Sequence, residues 1–465
     1  MGEVTSKRIT LFITALGGFL TPFMTSSVNI AIPLIGSEFH MDAVLLTWIA
    51  TSFLLATAVF LVPFGKIADI HGRKRVFVYG VSVFTISSLL LVISNSAVEI
   101  IMFRIFQGIG SAMVYATSVA ILTSVYPAGE TGKALGINTA SVYLGLAVGP
   151  FLGGFLTYNF GWRSIFITAV PLGLVLLAFT FWKLKGEWAE ARGEKFDLTG
   201  SVFYGLTLVA VMYGFSLLPE ISGGLLILIG GLGITGFVWW ERRAKNPVLN
   251  MELFKNNRVF LFSNLAALIN YSATFAVVFL LSLYLQQIKG FNSQDAGLIL
   301  ILQPIVQTIF SPLAGRLSDK VEPRIIASTG MAATVVGLSF LAFLNETTTL
   351  EFVYISLFIL GFGFAFFASP NINAVMCSVE RKLYGVASGT LGTMRQVGQM
   401  LSMGIAALIF AIVIGKVQIT PEYYPLLLSS VRISFAIFAA MCLFGVLASI
   451  VRGKVRIRPL NSQKT

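Results

Sequence analysis

Long apolar stretches recur along the whole chain, separated by short clusters of charged residues or of Gly, Pro and Asn. Each stretch is continuous over about 20 residues, the length of helix that crosses the ~30 Å apolar core of a bilayer. Strands of a membrane β-barrel would instead alternate apolar and polar residues in segments of about ten. The pattern therefore predicts an all-α polytopic membrane protein.

Fourteen of these stretches are long enough to form transmembrane helices. The predicted helices cover residues 9–35, 43–66, 76–94, 98–124, 134–158, 164–184, 199–217, 222–241, 259–286, 295–317, 325–344, 352–376, 386–415 and 428–451. An even number of helices places both termini on one side of the membrane. The first stretch is much longer than the ~7–15 apolar residues of a signal peptide, so we expect it to be retained as a helix.

Charged residues predict the orientation of these helices. Of 32 Lys and Arg residues, 26 fall on the side of the N-terminus and four on the opposite side, whereas Arg104 and Arg395 lie within predicted helices. Because basic loops remain in the cytoplasm, both termini are expected there. The net charge of +12 thus indicates membrane orientation and contact with anionic lipids rather than nucleic-acid binding. With 56% hydrophobic and 11% charged residues, we expect a multi-pass protein of the cell membrane.

A short internal repeat divides the chain into two halves. The segment GKIADIHGRKR (Gly65–Arg75) follows predicted helix 2, and GRLSDKVEPR (Gly315–Arg324) follows predicted helix 10, 250 residues later. That distance spans eight helices, so a duplicated six-helix unit needs two further helices between its copies. We predict an N-terminal bundle over residues 1–190, two inserted helices within 191–245, and a C-terminal bundle over 246–465.

The loop after predicted helix 2 combines glycines, which allow helices to approach closely, with a cytoplasmic charge cluster. Its characteristic residues are Gly65, Asp69, Gly72, Arg73, Lys74 and Arg75, and the second copy contains Gly315 and Asp319. Such a loop either takes part in gating or serves only as a basic loop that sets the membrane orientation.

Three motifs lie inside predicted helices. RIFQGIGSA begins at Arg104, about 9 Å deep at ~1.5 Å per residue, and includes Gln107. An unpaired arginine at this depth costs at least ~2–3 kcal/mol, so Arg104 should face the bundle interior. GLAVGPFLGG (Gly145–Gly154) provides a flat packing face and a proline that permits a kink. TMRQVGQMLSMGIA contains Arg395, ~13 Å from the cytoplasmic edge.

These motifs, in this order over nearly the whole chain, resemble the major facilitator superfamily, in particular its fourteen-helix drug–proton antiporter branch. The segments GWRSIFITAVPLG and NPVLNMELFKNNRVF resemble the same branch. The resemblance implies two six-helix bundles plus two inserted helices, and a monomer without cofactor or metal. It also implies export of hydrophobic or amphipathic compounds by proton-coupled alternating access, with protons and membrane lipids as the other partners.

The resemblance further implies roles for the motifs. The loop after predicted helix 2 stabilises one state of alternating access, and the arginine that matches Arg104 is associated with proton coupling. The glycine motif of predicted helix 5 is typical of exporters; its residues are Gly145, Gly149, Pro150, Gly153 and Gly154. The alternative for both Arg104 and Arg395 is a structural role.

Predicted helix 1 departs from the family pattern. Its stretch FLTPFMTSSVNIAIP is polar but uncharged, and aligning it on Asn29 places Met24 where the family has aspartate and Ser26 where it has threonine. We expect Met24, Ser26 and Asn29 to belong to a substrate-facing stripe. None of the 20 acidic residues lies near the middle of a predicted helix. The titratable groups left for proton coupling are Glu99, Asp295, His40 and His71.

This inventory bears on the substrate and on the energy source. Arg104 and Arg395 without a deep carboxylate favour neutral or anionic amphiphiles, including lipid-like compounds, over dications. Arginine does not titrate usefully, so the missing aspartate leaves a second hypothesis open. That hypothesis is an uncoupled or anion-linked transporter, or a lipid flippase, on the same fold.

A membrane-embedded enzyme is the main alternative from another class. The acidic residues between Glu187 and Asp197 alternate with basic ones, which predicts a solvated linker rather than a metal site. The chain shows no glycine-rich phosphate loop, nucleophile motif or metal-ligand spacing. We therefore expect no enzymatic activity, and the gating and exporter motifs argue against a sensor or scaffold.

Overall fold

The computed structural model describes residues 7–126, 130–244, 247–248, 252–255, 257–380 and 383–453. Fourteen helices within these residues are long and apolar enough to span a membrane, and no β-strand occurs among them, which confirms the predicted fold class. The helices are α1 (Lys7–Glu38), α2 (Ala43–His71), α3 (Arg73–Val92), α4 (Ala97–Val125), α5 (Ala134–Phe160), α6 (Arg163–Lys183), α7 (Leu198–Leu217), α8 (Ile221–Glu241), α9 (Arg258–Ile288), α10 (Ser293–Ser318), α11 (Pro323–Leu341), α12 (Leu350–Cys377), α13 (Val386–Val413) and α14 (Pro421–Val451).

Two of the helices are irregular, both in the C-terminal half. The helix α9 consists of Arg258–Thr274, Val277–Leu283 and a π-helical turn at Tyr284–Ile288. The helix α10 is interrupted at Ile301. In addition, a one-turn helix at Glu252–Lys255 precedes α9. Such interruptions are tolerated in membrane helices where neighbouring helices cover the backbone.

Helix packing separates two groups of six helices. In the first group α1 packs on α5, while α4 packs on both α2 and α3. In the second group α11 packs on α12 and α14, while α9 packs on α13 and α14. The pair α7 and α8 pack on each other, and α7 also contacts α2 and α13, so the pair lies beside both groups. The exact boundaries at residues 190 and 245 stay predictions.

The two groups touch along the outer half of their interface, on the face with few Lys and Arg. Gln286 Nε2 donates to the Ile30 carbonyl at 2.9 Å, and Ala43 N donates to the Val417 carbonyl at 2.9 Å. A Cβ atom on Gly297 of α10 would collide with the Pro150 carbonyl of α5. The outer side is therefore sealed in this conformation.

Candidate functional site: a central cavity between the bundles

A narrow cavity, with an enclosed volume of about 20 Å³, lies between the two helix groups. Side chains from both groups line it: Pro22, Thr25, Phe53, Tyr115, Val142, Tyr143 and Leu146 from the first, and Tyr271, Phe275, Arg395, Gln396 and Gln399 from the second. Residues three and four apart face the same side of a helix, which explains why α13 contributes Arg395, Gln396 and Gln399 together. The lining contains aromatic, amide and cationic groups.

Among the described residues that line this cavity, Arg395 is the one with a charged side chain, and its charge is positive. Its guanidinium carbon lies 5.6 Å from the centre of the Tyr115 ring, and its side chain hydrogen-bonds to Tyr271. Tyr143 is the third tyrosine close enough to interact with it. No Asp, Glu or His is present among the lining residues. The cavity is therefore positive and aromatic.

A buried polar atom of the lining has no hydrogen-bond partner among the described residues. It is Oε1 of Gln396, whereas the Tyr143 hydroxyl lies near Tyr271 and Arg395. Buried polar groups are normally satisfied, because an unpaired one costs about 1–3 kcal/mol. An unpaired atom that borders a cavity indicates a place where a bound molecule can supply the missing partner.

Arg104 forms a second, separate polar cluster, fully buried in α4. Its Nε donates to the Ile49 carbonyl at 3.0 Å and its Nη1 donates to Gln107 Oε1 at 2.6 Å. Gln107 Nε2 in turn donates to Ser88 Oγ at 2.8 Å. The guanidinium carbon lies 4.3 Å from the centre of the Phe53 ring, and Phe53 also lines the cavity. The predicted pair Arg104 and Gln107 is thus one hydrogen-bonded unit next to the cavity.

Helix α1 contributes Pro22 and Thr25 to the cavity, rather than the stripe chosen from the sequence. Met24 is fully buried in the packed core, and Ser26 Oγ donates to the Leu146 carbonyl of α5 at 3.1 Å. Asn29 is buried and its Oδ1 has no partner among the described residues. A role of Met24, Ser26 and Asn29 in substrate contact stays a prediction.

The family model described as "Major Facilitator Superfamily" matches residues 14–402 and 263–464. The chain belongs to the major facilitator superfamily. This facilitator is 28% identical over 447 residues to "Riboflavin transporter RibZ" of Clostridioides difficile (strain 630), over 96% of this chain and 97% of that protein.

A second relative has a name that refers to multidrug resistance. The facilitator is 30% identical over 412 residues to "Multidrug resistance protein Stp" of Mycobacterium tuberculosis (strain CDC 1551 / Oshkosh), over 87% of this chain and 76% of that protein. Among solved structures, a bacterial homologue of the human lysosomal transporter Spinster, inward-facing and unoccupied, matches with a TM-score of 0.69 over 96% of both chains. At 15% identity, that likeness supports the fold alone.

The loop of this facilitator between α2 and α3, for which a gating role stays a prediction, is organised by Arg73, which is buried. Its Nε donates to Asp69 Oδ1 at 2.8 Å, and its Nη1 donates to Glu190 Oε1 at 2.8 Å and to Ser124 Oγ at 2.5 Å. Lys66 forms an ion pair with Glu194 at 2.6 Å. The predicted charge network therefore exists, and it includes carboxylates from beyond α6.

These carboxylates belong to residues 184–197, which we name the acidic linker. Its Glu187 carboxylate accepts hydrogen bonds from Lys74 N at 2.8 Å and Arg75 N at 3.3 Å, and so caps the first turn of α3. Gly72, the residue before α3, has φ +119°, and a Cβ there would collide with Glu187. The linker is solvated as expected, since Glu187, Glu190 and Glu194 are exposed. These carboxylates also contact the loop between α2 and α3, and Glu187 supplies the cap because α3 lacks a capping side chain of its own.

In the second copy of the gating motif, a Cβ on Gly315 would lie 3.0 Å from Ser369 Oγ of α12. The side chain of Asp319 lies outside the described residues. On the first copy, a Cβ on Gly65 would meet only Ala116, at 4.0 Å. The two glycines thus face neighbouring helices, α4 and α12, at corresponding places in the two halves.

The exporter motif packs α5 against its neighbours. A Cβ on Gly145 would lie 2.5 Å from the Phe19 carbonyl of α1, and one on Gly149 would lie 2.6 Å from the Ser26 Cβ. Gly153 meets the Ser27 backbone in the same way. Two residues of the motif, Pro150 and Gly154, contact α10 of the other bundle. The motif therefore forms part of the outer seal.

The titratable candidates at the outer edge have local structural roles. Glu99 Oε2 accepts from Asn95 N at 2.8 Å at the start of α4, and Asp295 Oδ2 accepts from Asn292 Nδ2 at 2.9 Å at the start of α10. His40 is exposed, 3.5 Å from Gln418 Nε2, and His71 is exposed at the end of α2. None of the four lines the central cavity. Their part in coupling stays a prediction.

Proposed function

We propose that this protein exports hydrophobic or amphipathic compounds across the cell membrane by alternating access. The observation that carries the proposal is the central cavity, lined by both helix bundles beneath a sealed outer interface. A site at the interface of two bundles can face either side when the bundles rock about it. The proposal assigns transport and no covalent chemistry.

The direction and substrate class rest on two supporting observations. The exporter motif of α5 lies in the outer seal, and the relative Stp is named for multidrug resistance. The cavity is aromatic and positive, which favours neutral or anionic amphiphiles. The relative RibZ is named for riboflavin, so we include this flat, uncharged molecule among the compounds to be tested.

We propose the proton gradient as the energy source, following the family resemblance. The alternative is uncoupled or anion-linked transport, or lipid flipping, on the same fold. The observation that favours the alternative is that the described residues lining the cavity include no carboxylate or histidine. Arginine stays protonated throughout the physiological pH range and cannot release a proton to the transport cycle.

Transport into inside-out proteoliposomes tests the proposal. With the cytoplasmic face outward, we expect uptake of at least one of riboflavin, fluorescein and pyronin Y, faster when the lumen is acidic. Uptake that is independent of the pH gradient would support the uncoupled alternative. Protein-free liposomes give the leak rate, and uptake no faster than that leak for any of the three compounds contradicts the exporter.

A further inference from the structure

We propose that Arg395 and Tyr143 form a binding site for the anionic edge of a planar aromatic substrate. The proposal rests on the proposed transport function and names the substrate class that the cavity selects. In this site Arg395 would pair with the negative charge of the substrate, and the Tyr143 hydroxyl would donate a hydrogen bond to the same anionic group. The aromatic lining would contact the flat ring system.

Arg395 supplies the positive charge of the site. It is half-buried between the bundles, and among the described residues the groups that interact with it are the three tyrosines rather than a carboxylate. An arginine within a membrane protein normally pairs with an opposite charge or with backbone carbonyls. Here the cation faces a cavity, so an anionic group of a bound molecule can complete the pair with two parallel hydrogen bonds.

The Tyr143 hydroxyl is the second group of the site. It is buried, borders the same cavity, and lies near Tyr271 and Arg395. An anion placed at Arg395 would accept a hydrogen bond from this hydroxyl. A phenylalanine would serve equally well if the side chain were needed only for packing.

The lining also favours a substrate of flat shape. Phe53, Tyr115, Tyr271 and Phe275 contribute aromatic rings to the lining, together with Pro22. Aromatic pairs prefer stacked or edge-to-face arrangements, which favour a flat ring over a flexible chain. The enclosed space is about 20 Å³ in this conformation, so the lining must open to admit a substrate, and a compact polycyclic molecule requires less opening than a two-chain lipid.

Two xanthene dyes of opposite charge test the proposal in the full-length protein. Fluorescein is an anion and pyronin Y a cation at neutral pH, and both contain the flat xanthene ring system, to which fluorescein adds a carboxyphenyl ring. We expect the wild type to bind fluorescein more tightly than pyronin Y, measured by fluorescence anisotropy. Because hydrogen bonds to charged groups contribute about 1.5–3 kcal/mol, Arg395→Gln should weaken fluorescein binding at least about tenfold without weakening pyronin Y binding.

Tyr143→Phe provides a second, milder variant that removes only the hydroxyl. We expect it to weaken fluorescein binding about three- to tenfold, again without effect on pyronin Y. The matched controls are Arg432→Gln and Tyr354→Phe, whose side chains are exposed on the outside of the C-terminal bundle and should leave both affinities unchanged.

Three results would overturn the proposal: no binding of fluorescein, equal binding of the two dyes, or unchanged fluorescein affinity in Arg395→Gln. The failure of the site is separable from the failure of the transport function. If inside-out proteoliposomes take up pyronin Y but not fluorescein, the exporter stands and the anion site is refuted. If they take up none of the tested compounds, the exporter itself is refuted.

Discussion

At the scale of single residues, neighbouring positions 24 and 25 on α1 have opposite environments. Thr25 lines the cavity, whereas Met24 is buried in the core. We expect Thr25→Asp to place a carboxylate opposite Arg395 and to shift the preference between the two dyes toward pyronin Y by about tenfold, ~1.4 kcal/mol. The measurement is the ratio of the two dye affinities.

Met24→Asp is the matched comparison for this prediction. The family pattern puts an aspartate at this position, and the structure puts the side chain outside the cavity lining. A larger shift for Met24→Asp than for Thr25→Asp would show that the family pattern, rather than this conformation, identifies the substrate-facing side of α1.

The sequence pattern identified the charged residues of the site more readily than its aromatic ones. Arg104 and Arg395 stand out because ionisable residues inside membrane helices are rare. Tyr115, Tyr143 and Tyr271 do not, since single tyrosines occur in many membrane helices and only the packing of α4, α5 and α9 brings these three together. The sequence feature that could have identified these tyrosines is a polar hydroxyl in the middle of a predicted helix.

At the scale of the elements, the acidic linker stabilises the start of α3. We expect Glu187→Ala to lower the free energy of unfolding by about 1 kcal/mol, because it removes the acceptor for two helix N–H groups. The check is the midpoint of thermal unfolding in detergent. Glu194→Ala is the control, since its ion pair is partly exposed and such pairs contribute ~0–1 kcal/mol.

Gly72→Ala gives a second test of the same contact. The added Cβ would collide with Glu187 at a positive φ that disfavours alanine, so the single variant should be destabilised. Combining it with Glu187→Ala should recover part of the loss, because the collision is gone while the backbone strain remains. Strict additivity of the two changes would contradict the assigned contact.

At the scale of the whole molecule, Gly297 controls how closely the bundles meet on the outside. We expect Gly297→Ala to separate them, because the new Cβ collides with the Pro150 backbone carbonyl. In a variant without Cys377 and Cys442, a Thr25→Cys side chain should then react faster with a membrane-impermeant maleimide added outside. Gly389→Ala is the control, because nothing lies within 4 Å of its added Cβ. Equal rates of labelling in the Gly297→Ala and Gly389→Ala variants would refute the seal.

The architecture was largely predictable, whereas the conformation was not. Hydropathy predicted all fourteen helices, for example 199–217 for α7 (Leu198–Leu217), because the bilayer imposes their length. The contact of Gly297 with Pro150 could not be predicted, since it depends on which of several packings of the two bundles is populated. The contact of Glu187 with the start of α3 could not be predicted either, because a stretch of alternating charges has the same sequence pattern whether its side chains are solvated or paired.

The cap on α3 also bears on how the protein is made. The acceptor Glu187 lies 113 residues after Lys74, beyond α6. While the chain is being synthesised, the first turn of α3 therefore remains uncapped until the last helix of the N-terminal bundle has entered the membrane. A chain that ends before Glu187 therefore lacks this cap, so the acidic linker is the final piece in assembling that bundle.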